Sequence, residues 1–402
     1  VIENEIPFTH SPFPFGKVML NSTLETAPVM YKGDLVKPPV LDFDNHIVET
    51  NFQLKSRLTP HEIRKLLISI SLVGASDLTF QSDCIPRIKV KGHYLNLGSK
   101  LCNPMIMDTV IGELYGASNA PAEIKARKVL DFTYSLKINE ENVLRCRTNA
   151  IGVSGWDNSG MEISLRLLPQ TIPSPANVGL TSQEVQLLSP SQGLVIVAGA
   201  TGSGKTSTLA AIIRNHLKDH HKPQKIITIE APIEYLFNDF NSFNQDSSSS
   251  ISQSEVGTHI VSFASGVRSA LRRNPDIIVV GEARDTETIN AMLEASFTGH
   301  LVYTTTHAAS IEDTVRRLVV SNSASEYEIK AYDLMSTLQT IMVQELVLKS
   351  HQAPGLVAIR QSLRFTELIR EELLGTSLDN WPHLIRSYPK VGNVDELTDA
   401  FV

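Results

Sequence analysis

The chain has 402 residues, 42% hydrophobic and 20% charged, and its 36 basic and 43 acidic side chains leave a net charge of −7 at pH 7. That length allows two or three domains with cores of their own, and the acidic balance speaks against a general nucleic-acid binder. Cys84, Cys102 and Cys146 are far apart and form no Cys-x-x-Cys pair, which argues against structural zinc or a disulfide framework and fits a reducing cytoplasm.

No apolar run reaches the ~18–20 residues of a membrane helix. No basic stretch leads into an apolar one at the start, so no secretory signal is expected. Membrane association is expected only through a partner. Residues 1–55, with Pro12, Pro14 and the Pro38-Pro39 pair among scattered aromatics, read as an N-terminal extension, either an irregular packed arm or a disordered lead-in.

Thr59-Pro60-His61-Glu62 signals a helix start: a threonine cap, proline at the first position and a glutamate three residues after the cap. Ile63, Leu66, Leu67 and Ile70 give that helix one buried face. A strand meander follows, through Gly74–Phe80 and the alternating Ile88-Lys89-Val90-Lys91 closed by Gly92. Helices are expected around 104–114 and 122–130, and strands over 131–138, 143–151 and 161–168. Together 56–168 read as one small α+β domain. Pro169, Pro173 and Pro175 make 169–177 a stiff, extended linker.

From 178 to 350 strands and helices alternate: 194–198, a helix after Lys205, 226–229, a helix around 263–272, 277–280, a helix around 286–295, and 301–304. That rhythm predicts an α/β domain with a mostly parallel sheet. The Ser-, Asn- and Gln-rich stretch 238–254, with serines at 247–250, reads as a mobile loop. After about Ala308 the pattern reads as helical, over 311–320 and 326–348, and 351–402 reads as a helical tail.

The chemistry concentrates at Gly199-Ala200-Thr201-Gly202-Ser203-Gly204-Lys205-Thr206, between the apolar run 194–198 and a helix that opens with Ser207. Strand, glycine loop and helix in that order suit an NTP-binding loop. The glycines let backbone N–H groups curl around phosphate oxygens, and the helix N-terminus adds a positive dipole end. Lys205 supplies a mobile charge for the β- and γ-phosphates, and the Thr206 hydroxyl suits a Mg²⁺ ligand position.

Three later strands end in polar residues, where the ligand edge of such a sheet lies. The strand at 226–229 leads to Glu230 and Glu234, able to hold Mg²⁺ through water or to order the attacking water. The strand at 277–280 leads to Glu282, where many such loops' partners carry an aspartate; a glutamate fits activation of water better. Arg284 and Asp285 beside it read equally as a local salt bridge. The stretch Thr298–His307 ends in Thr304-Thr305-Thr306-His307, and His307 fits a γ-phosphate sensor; His300 reads either way. On spacing alone Arg145, Arg147 and Arg166 read as surface side chains.

This combination resembles the secretion ATPase superfamily, which includes type II secretion, type IV pilus and type IV secretion motors, over about 56–350. Gly199–Thr206 is similar to its Walker A, Ile227–Tyr235 to its acidic box, Arg272–Asp285 to its Walker B and Thr298–His307 to its histidine box. Glu255-Val256-Gly257 and Gly74-Ala75-Ser76-Asp77-Leu78 match further signatures. The resemblance implies a PAS-like N-terminal domain joined to a RecA-like P-loop ATPase domain in a homohexameric ring. Arg147 and Arg166 would be the arginines brought to the γ-phosphate, with Arg145 a weaker fit.

Ala231 replaces the aspartate usual in the acidic box, and Thr79 stands where a histidine is common. A tetracysteine zinc insertion is missing, which points to the retraction-ATPase-like branch. Within it, Val357–Phe365 resembles the type IVB secretion and conjugative-transfer ATPases. The resemblance thus implies a cytoplasmic, ATP- and Mg²⁺-dependent motor recruited by secretion or conjugation proteins to the inner membrane, with no direct nucleic-acid binding. The alternatives are a type IV pilus retraction ATPase, a DNA-translocating RecA-type motor, which the net acidity disfavours, and a non-hydrolysing scaffold, which the intact Lys205 and Glu282 disfavour.

Overall fold

The computed structural model describes residues 29–32, 34–36, 40–42, 47–49, 58–90, 93–139, 142–155, 160–237, 248–320, 327–348 and 356–392. Most of the expected N-terminal extension, including Pro12, Pro14 and Pro38-Pro39, lies outside them, as do Gly92, Glu326 and residues 238–247. The chain divides into two compact units, Val1–Thr171 and Ile172–Val402.

The first unit contains β1 (Val29–Tyr31), β2 (Asp34–Val36), β3 (Val40–Asp42), β4 (Ile47–Glu49), α1 (Pro60–Leu72), β5 (Ala75–Gln81), β6 (Arg87–Val90), β7 (His93–Leu97), α2 (Pro104–Tyr115), α3 (Ala120–Lys125), β8 (Leu130–Lys137), β9 (Val143–Val153) and β10 (Gly160–Leu167). The expected capping box at α1 forms: Thr59 accepts from the Glu62 N–H, and the Glu62 carboxylate accepts from the Thr59 N–H at 2.8 Å. Helix α3 stops at Lys125 rather than running to 130, because Arg127 takes a left-handed φ of 67° and turns the chain into β8.

The main sheet of this unit has the order β3-β4-β7-β6-β5-β10-β9-β8. Alternation sends Leu78, Phe80, Ile88, Val90, Ile163 and Leu165 into a core shared with Leu66, Leu67 and Ile70 of α1 and Ile106, Met107 and Val110 of α2. The other face carries the polar register row Thr133, Arg147, Arg166, Asp77, Lys89 and Tyr94.

The second unit contains α4 (Ser182–Leu187), β11 (Gly193–Ala198), α5 (Lys205–Leu217), β12 (Lys225–Glu230), β13 (Ser250–Glu255), α6 (Phe263–Ala270), β14 (Ile277–Val280), α7 (Thr286–Phe297), β15 (Leu301–Thr306), α8 (Ile311–Val320), α9 (Tyr327–Thr337), β16 (Leu338–Leu348), β17 (Leu356–Arg364), α10 (Glu367–Leu374), α11 (Trp381–Ser387) and β18 (Val391–Gly392). Its sheet order is β13-β12-β14-β15-β11-β16-β17-β18, parallel from β13 to β16 and antiparallel at β17 and β18. The fully buried β11, β14 and β15 are near-continuous apolar or Thr-rich runs, as a parallel sheet covered on both faces requires.

Three stretches depart from expectation. Residues 250–254, read as part of a loop, belong with Glu255 to edge strand β13, because their backbone pairs with β12 whatever the side chains. Residues 338–348, read as helix, form β16 beside β11. Residues 356–364, read as part of a helical tail, form β17. In both strands β-branched residues (Thr340, Ile341 and Val343; Val357 and Ile359) favour a pleated, packed surface over a helix. The chain beyond β17 closes over the core, with Leu373, Trp381 and Ile385 buried and the Trp381 Nε1–H donating to the Leu373 carbonyl at 2.7 Å.

In the last turn of α5, His216 sits 2.9 Å from Gln224 Oε1 and 2.8 Å from the Tyr303 hydroxyl, which itself donates to the Leu188 carbonyl at 2.7 Å. Burial lowers the His216 pKa below its ordinary value. The unfolded chain therefore binds a proton that the folded one refuses. Stability is full above the ordinary histidine value of ~6.5 and falls as pH drops through it. Thermal unfolding followed from pH 7.5 to 5.5 is expected to show a falling Tm, and His216→Gln to shrink that fall.

Candidate nucleotide site

The loop between β11 and α5 adopts backbone angles that only glycine takes without strain: φ is 148° at Gly199, 80° at Gly202 and 85° at Gly204. At Gly199 the reason is also steric, since a Cβ there would run into the backbone oxygen of Gln344 and the Ser203 hydroxyl. Gly204 caps α5 without a side chain, so the first N–H groups of a 13-residue helix face the loop. Ala200 and Thr201 form its exposed rim. The Ser203 and Thr306 hydroxyl oxygens are buried with no hydrogen-bond partner among the described residues. Buried polar atoms of that kind suit a ligand rich in hydrogen-bonding oxygen.

Lys205 is buried and bends back over the loop, donating to the carbonyls of Gly199 at 2.9 Å and Ala200 at 2.8 Å. Its Nζ stands 3.5 Å from His307 Nδ1. His307 Nε2 lies 3.5 Å from Glu282 Oε1, and Arg284 Nε donates to Glu282 Oε2 at 2.7 Å. The expected lysine, histidine and glutamate thus form one chain of contacts, ended by Arg284. Burial lowers the Lys205 pKa, and the Glu282 and Glu234 carboxylates oppose that shift.

Strand ends hold this chain in place. The Thr305 hydroxyl donates to the Gly281 carbonyl at 2.6 Å and the Ala283 N–H to the Thr305 carbonyl at 3.1 Å, locking the ends of β14 and β15 side by side. Arg317 of α8 donates to the His307 carbonyl at 2.7 Å. Asp285 caps α7 by accepting from the Thr288 N–H at 2.8 Å, while Arg284 makes a local salt bridge to Glu282. His300 is structural, 3.0 Å from the Ala295 carbonyl.

Glu230, at the end of β12, accepts from Thr228 Oγ1 at 2.6 Å and Gln253 Nε2 at 3.1 Å, so part of its carboxylate is already engaged. Ser207 bonds the buried Tyr235 hydroxyl at 2.8 Å, tying α5 to the segment after Glu234. Thr206 occupies the second position of α5. In the first unit Arg147 and Arg166 stand directly opposite each other on β9 and β10. Asp131 pairs with Arg147 and Asp77 with Arg166, each at 3.1 Å. The buried Arg145 lies on the other side of Cys146 in sequence.

Two residues of the site escaped sequence reading. Gln344 of β16 accepts from Thr208 Oγ1 at 2.7 Å and donates to the Ser203 carbonyl, and Arg360 of β17 donates to Gln344 at 2.9 Å. The available signal was Gln344 after the apolar Ile341–Val343, on the buried face while Glu345 is exposed, and it stands out only once the stretch is read as a strand.

The Type II/IV secretion system protein family matches residues 122–368, more than half of the chain. The type IV pilus retraction ATPase PilT of Pseudomonas aeruginosa is 32% identical over 311 residues, 77% of this chain and 84% of that protein. Among solved structures, the ATPase DotB of Legionella pneumophila superposes with a TM-score of 0.73 at 34% identity, covering 83% of this chain and 89% of that one. The pilus retraction motor PilT with bound ADP gives 0.69 at 30% identity, covering 82% and 90%. The chain shares their α/β fold and belongs to the Type II/IV secretion system protein family, in the PilT-like branch near DotB.

Proposed function

We propose that the chain is an ATPase, the motor subunit of a type IV secretion or conjugation system, working as a homohexamer at the cytoplasmic face of the inner membrane. One observation carries the catalytic part: Lys205 of the glycine loop, His307 and Glu282 stand in a single contact chain. The triphosphate of ATP would lie along Gly199–Thr206, with Lys205 turning from its two carbonyls to the β- and γ-phosphate oxygens. Water would attack the γ-phosphorus, the bond to the ADP oxygen would break, and Glu282 would take the water's proton. Glu230 and Glu234 would order that water, and His307, between Lys205 and Glu282, would register the γ-phosphate. Arg147 and Arg166 would neutralise the charge that develops on the phosphoryl group.

Among the described residues no group of three or more His, Cys, Asp or Glu side chains could hold a metal ion. Mg²⁺ rests on substrate phosphates, water and few protein ligands, and a hydroxyl oxygen is the hard donor it takes. Thr206 would hold it, and it would supply neutralisation of phosphate charge. The first unit would be the PAS-like domain and the second the RecA-like one, reading supported by the α/β likeness to DotB and PilT. Among the described residues no helix is long and apolar enough to cross a membrane.

The likeness to DotB of Legionella pneumophila, at a TM-score of 0.73 and 34% identity, supports the secretion reading. PilT of Pseudomonas aeruginosa supports the second reading. ATP turnover and light scattering on the purified chain test the motor: a hydrolysing ring is expected, and a monomer that neither binds nor hydrolyses ATP defeats it. Copurification from cells separates the partners, with secretion coupling proteins expected and pilin-platform proteins favouring retraction.

A further inference from the structure

Arg360 is 1% exposed, and among the largest fully buried side chains it is a charged one. A guanidinium taken out of water is costly unless every donor is used, and apolar side chains brace a fold at lower cost. Its partners include groups in two places, and the Glu184 carboxylate also favours its charge. Nη1 and Nη2 reach the carbonyls of Gly179, at 3.0 Å, and Val178. Those carbonyls lie at the C-terminal end of the single 3₁₀ turn Ala176–Val178, where backbone oxygens lack partners within the turn. Nε goes to Gln344 Oε1 at 2.9 Å.

Gln344 passes the contact on. Its Oε1 also accepts from Thr208 Oγ1 at 2.7 Å, and its Nε2 donates to the Ser203 carbonyl inside the glycine loop. Its backbone oxygen packs where a Cβ at Gly199 would stand. A continuous hydrogen-bonded path therefore runs from Val178 and Gly179, just after the boundary between the two units at Thr171 and Ile172, to the loop itself. Hydrogen bonds are directional, so moving the turn reorients the Arg360 fork and with it the Gln344 amide and the Ser203 carbonyl.

We propose that Arg360 and Gln344 are positioning residues that couple the 176–179 turn to the phosphate-binding loop, so that bound nucleotide and the position of the turn bias each other. The coupling rests on the nucleotide reading given above. By linkage it acts equally in both directions: nucleotide steadies the turn, and displacement of the turn changes nucleotide affinity.

The test uses the full chain, a fluorescent ADP analogue and hydrogen–deuterium exchange with and without ADP. In the wild type ADP is expected to slow exchange at the Gly179 and Leu180 amides, which bond the Ala176 and Pro175 carbonyls. Gln344→Glu keeps acceptors for Arg360 and Thr208 but turns a carboxylate oxygen toward the Ser203 carbonyl, so it severs the loop end alone. Arg360→Met severs the turn end. Each variant is expected to weaken ADP binding by ~5–150-fold, the usual span of coupling between sites, and to abolish the response at 179–180. The double variant is expected to be little worse than either single one, and Arg360→Lys, with charge but no fork, fails to restore the response.

If Arg360→Met does not fold, Gln344→Glu decides. Variants that melt earlier yet keep wild-type ADP affinity and the exchange response would reduce the pair to a brace and overturn the proposal. Wild-type protein that binds ADP with no response at 179–180 overturns the coupling and leaves the nucleotide reading intact. Wild-type protein that binds no nucleotide overturns both.

Discussion

Replacing Glu282 by glutamine is expected to lower ATP turnover by ~10²–10⁴-fold, the span of a general base, while nucleotide still binds. The amide is nearly isosteric and can still accept from Arg284 Nε, so the strand end keeps its shape. It cannot take a proton from water. Glu282 is mostly buried at the end of β14, with its side chain 15% exposed between Arg284 and His307. Glu230 is partly engaged by Thr228 and Gln253, and the Glu234 carboxylate acts on Lys205 through its charge. Phosphate release measured at saturating ATP, with binding of a fluorescent analogue alongside, reads the two effects apart. Turnover within threefold of wild type would remove Glu282 as the base and hand the role to Glu230 or Glu234. Loss of binding as well would show that the change disturbed the loop instead.

The glycine loop was legible because its residues are dictated by local backbone geometry. Gly202 and Gly204 sit at positive φ, and Lys205 must follow at once to open the helix. The strands leading to Glu230 and Glu282 were legible for a related reason, since buried parallel strands read as continuous apolar runs. What escaped was set by neighbours distant in sequence. Leu338–Leu348 mixes the β-branched Thr340, Ile341 and Val343 with helix formers such as Leu338, Met342 and Leu346, and pairing with β11 decides for a strand. Ser250–Glu255 is polar and still a strand, because an edge position beside β12 asks little of side chains. Gln344 and Arg360 follow from the helical readings of 338–348 and of the tail: on a helix each is an unremarkable polar residue, whereas on β16 and β17 each is buried. The pairing of Arg147 with Arg166 was hidden in the same way, for it exists only through the register of β9 with β10.

That pairing leads to the second large effect. Arg147→Gln and Arg166→Gln are each expected to lower ATP turnover by ~10³–10⁵-fold, the range for arginines that meet a transferring phosphoryl group, without lowering the Tm. Like charges directly opposite each other on one face of a sheet repel, so a sheet selected for stability alone would not place two arginines there. Asp131 and Asp77 offset the repulsion, but both ion pairs are substantially exposed and exposed pairs contribute little. The arrangement instead presents a concentrated positive charge whose two aspartate partners an anion of higher charge can displace. If the arginines served only the fold, the glutamine variants would melt earlier and hydrolyse ATP normally. If they serve the reaction, the variants melt at or above the wild-type temperature and lose turnover. Mixing Arg147→Gln subunits with Glu282→Gln subunits then asks where the arginine acts. Two inactive proteins that regain turnover on mixing would place Arg147 of one subunit at the phosphates of another, whereas no recovery, with mixed rings shown by light scattering, would keep it within its own chain.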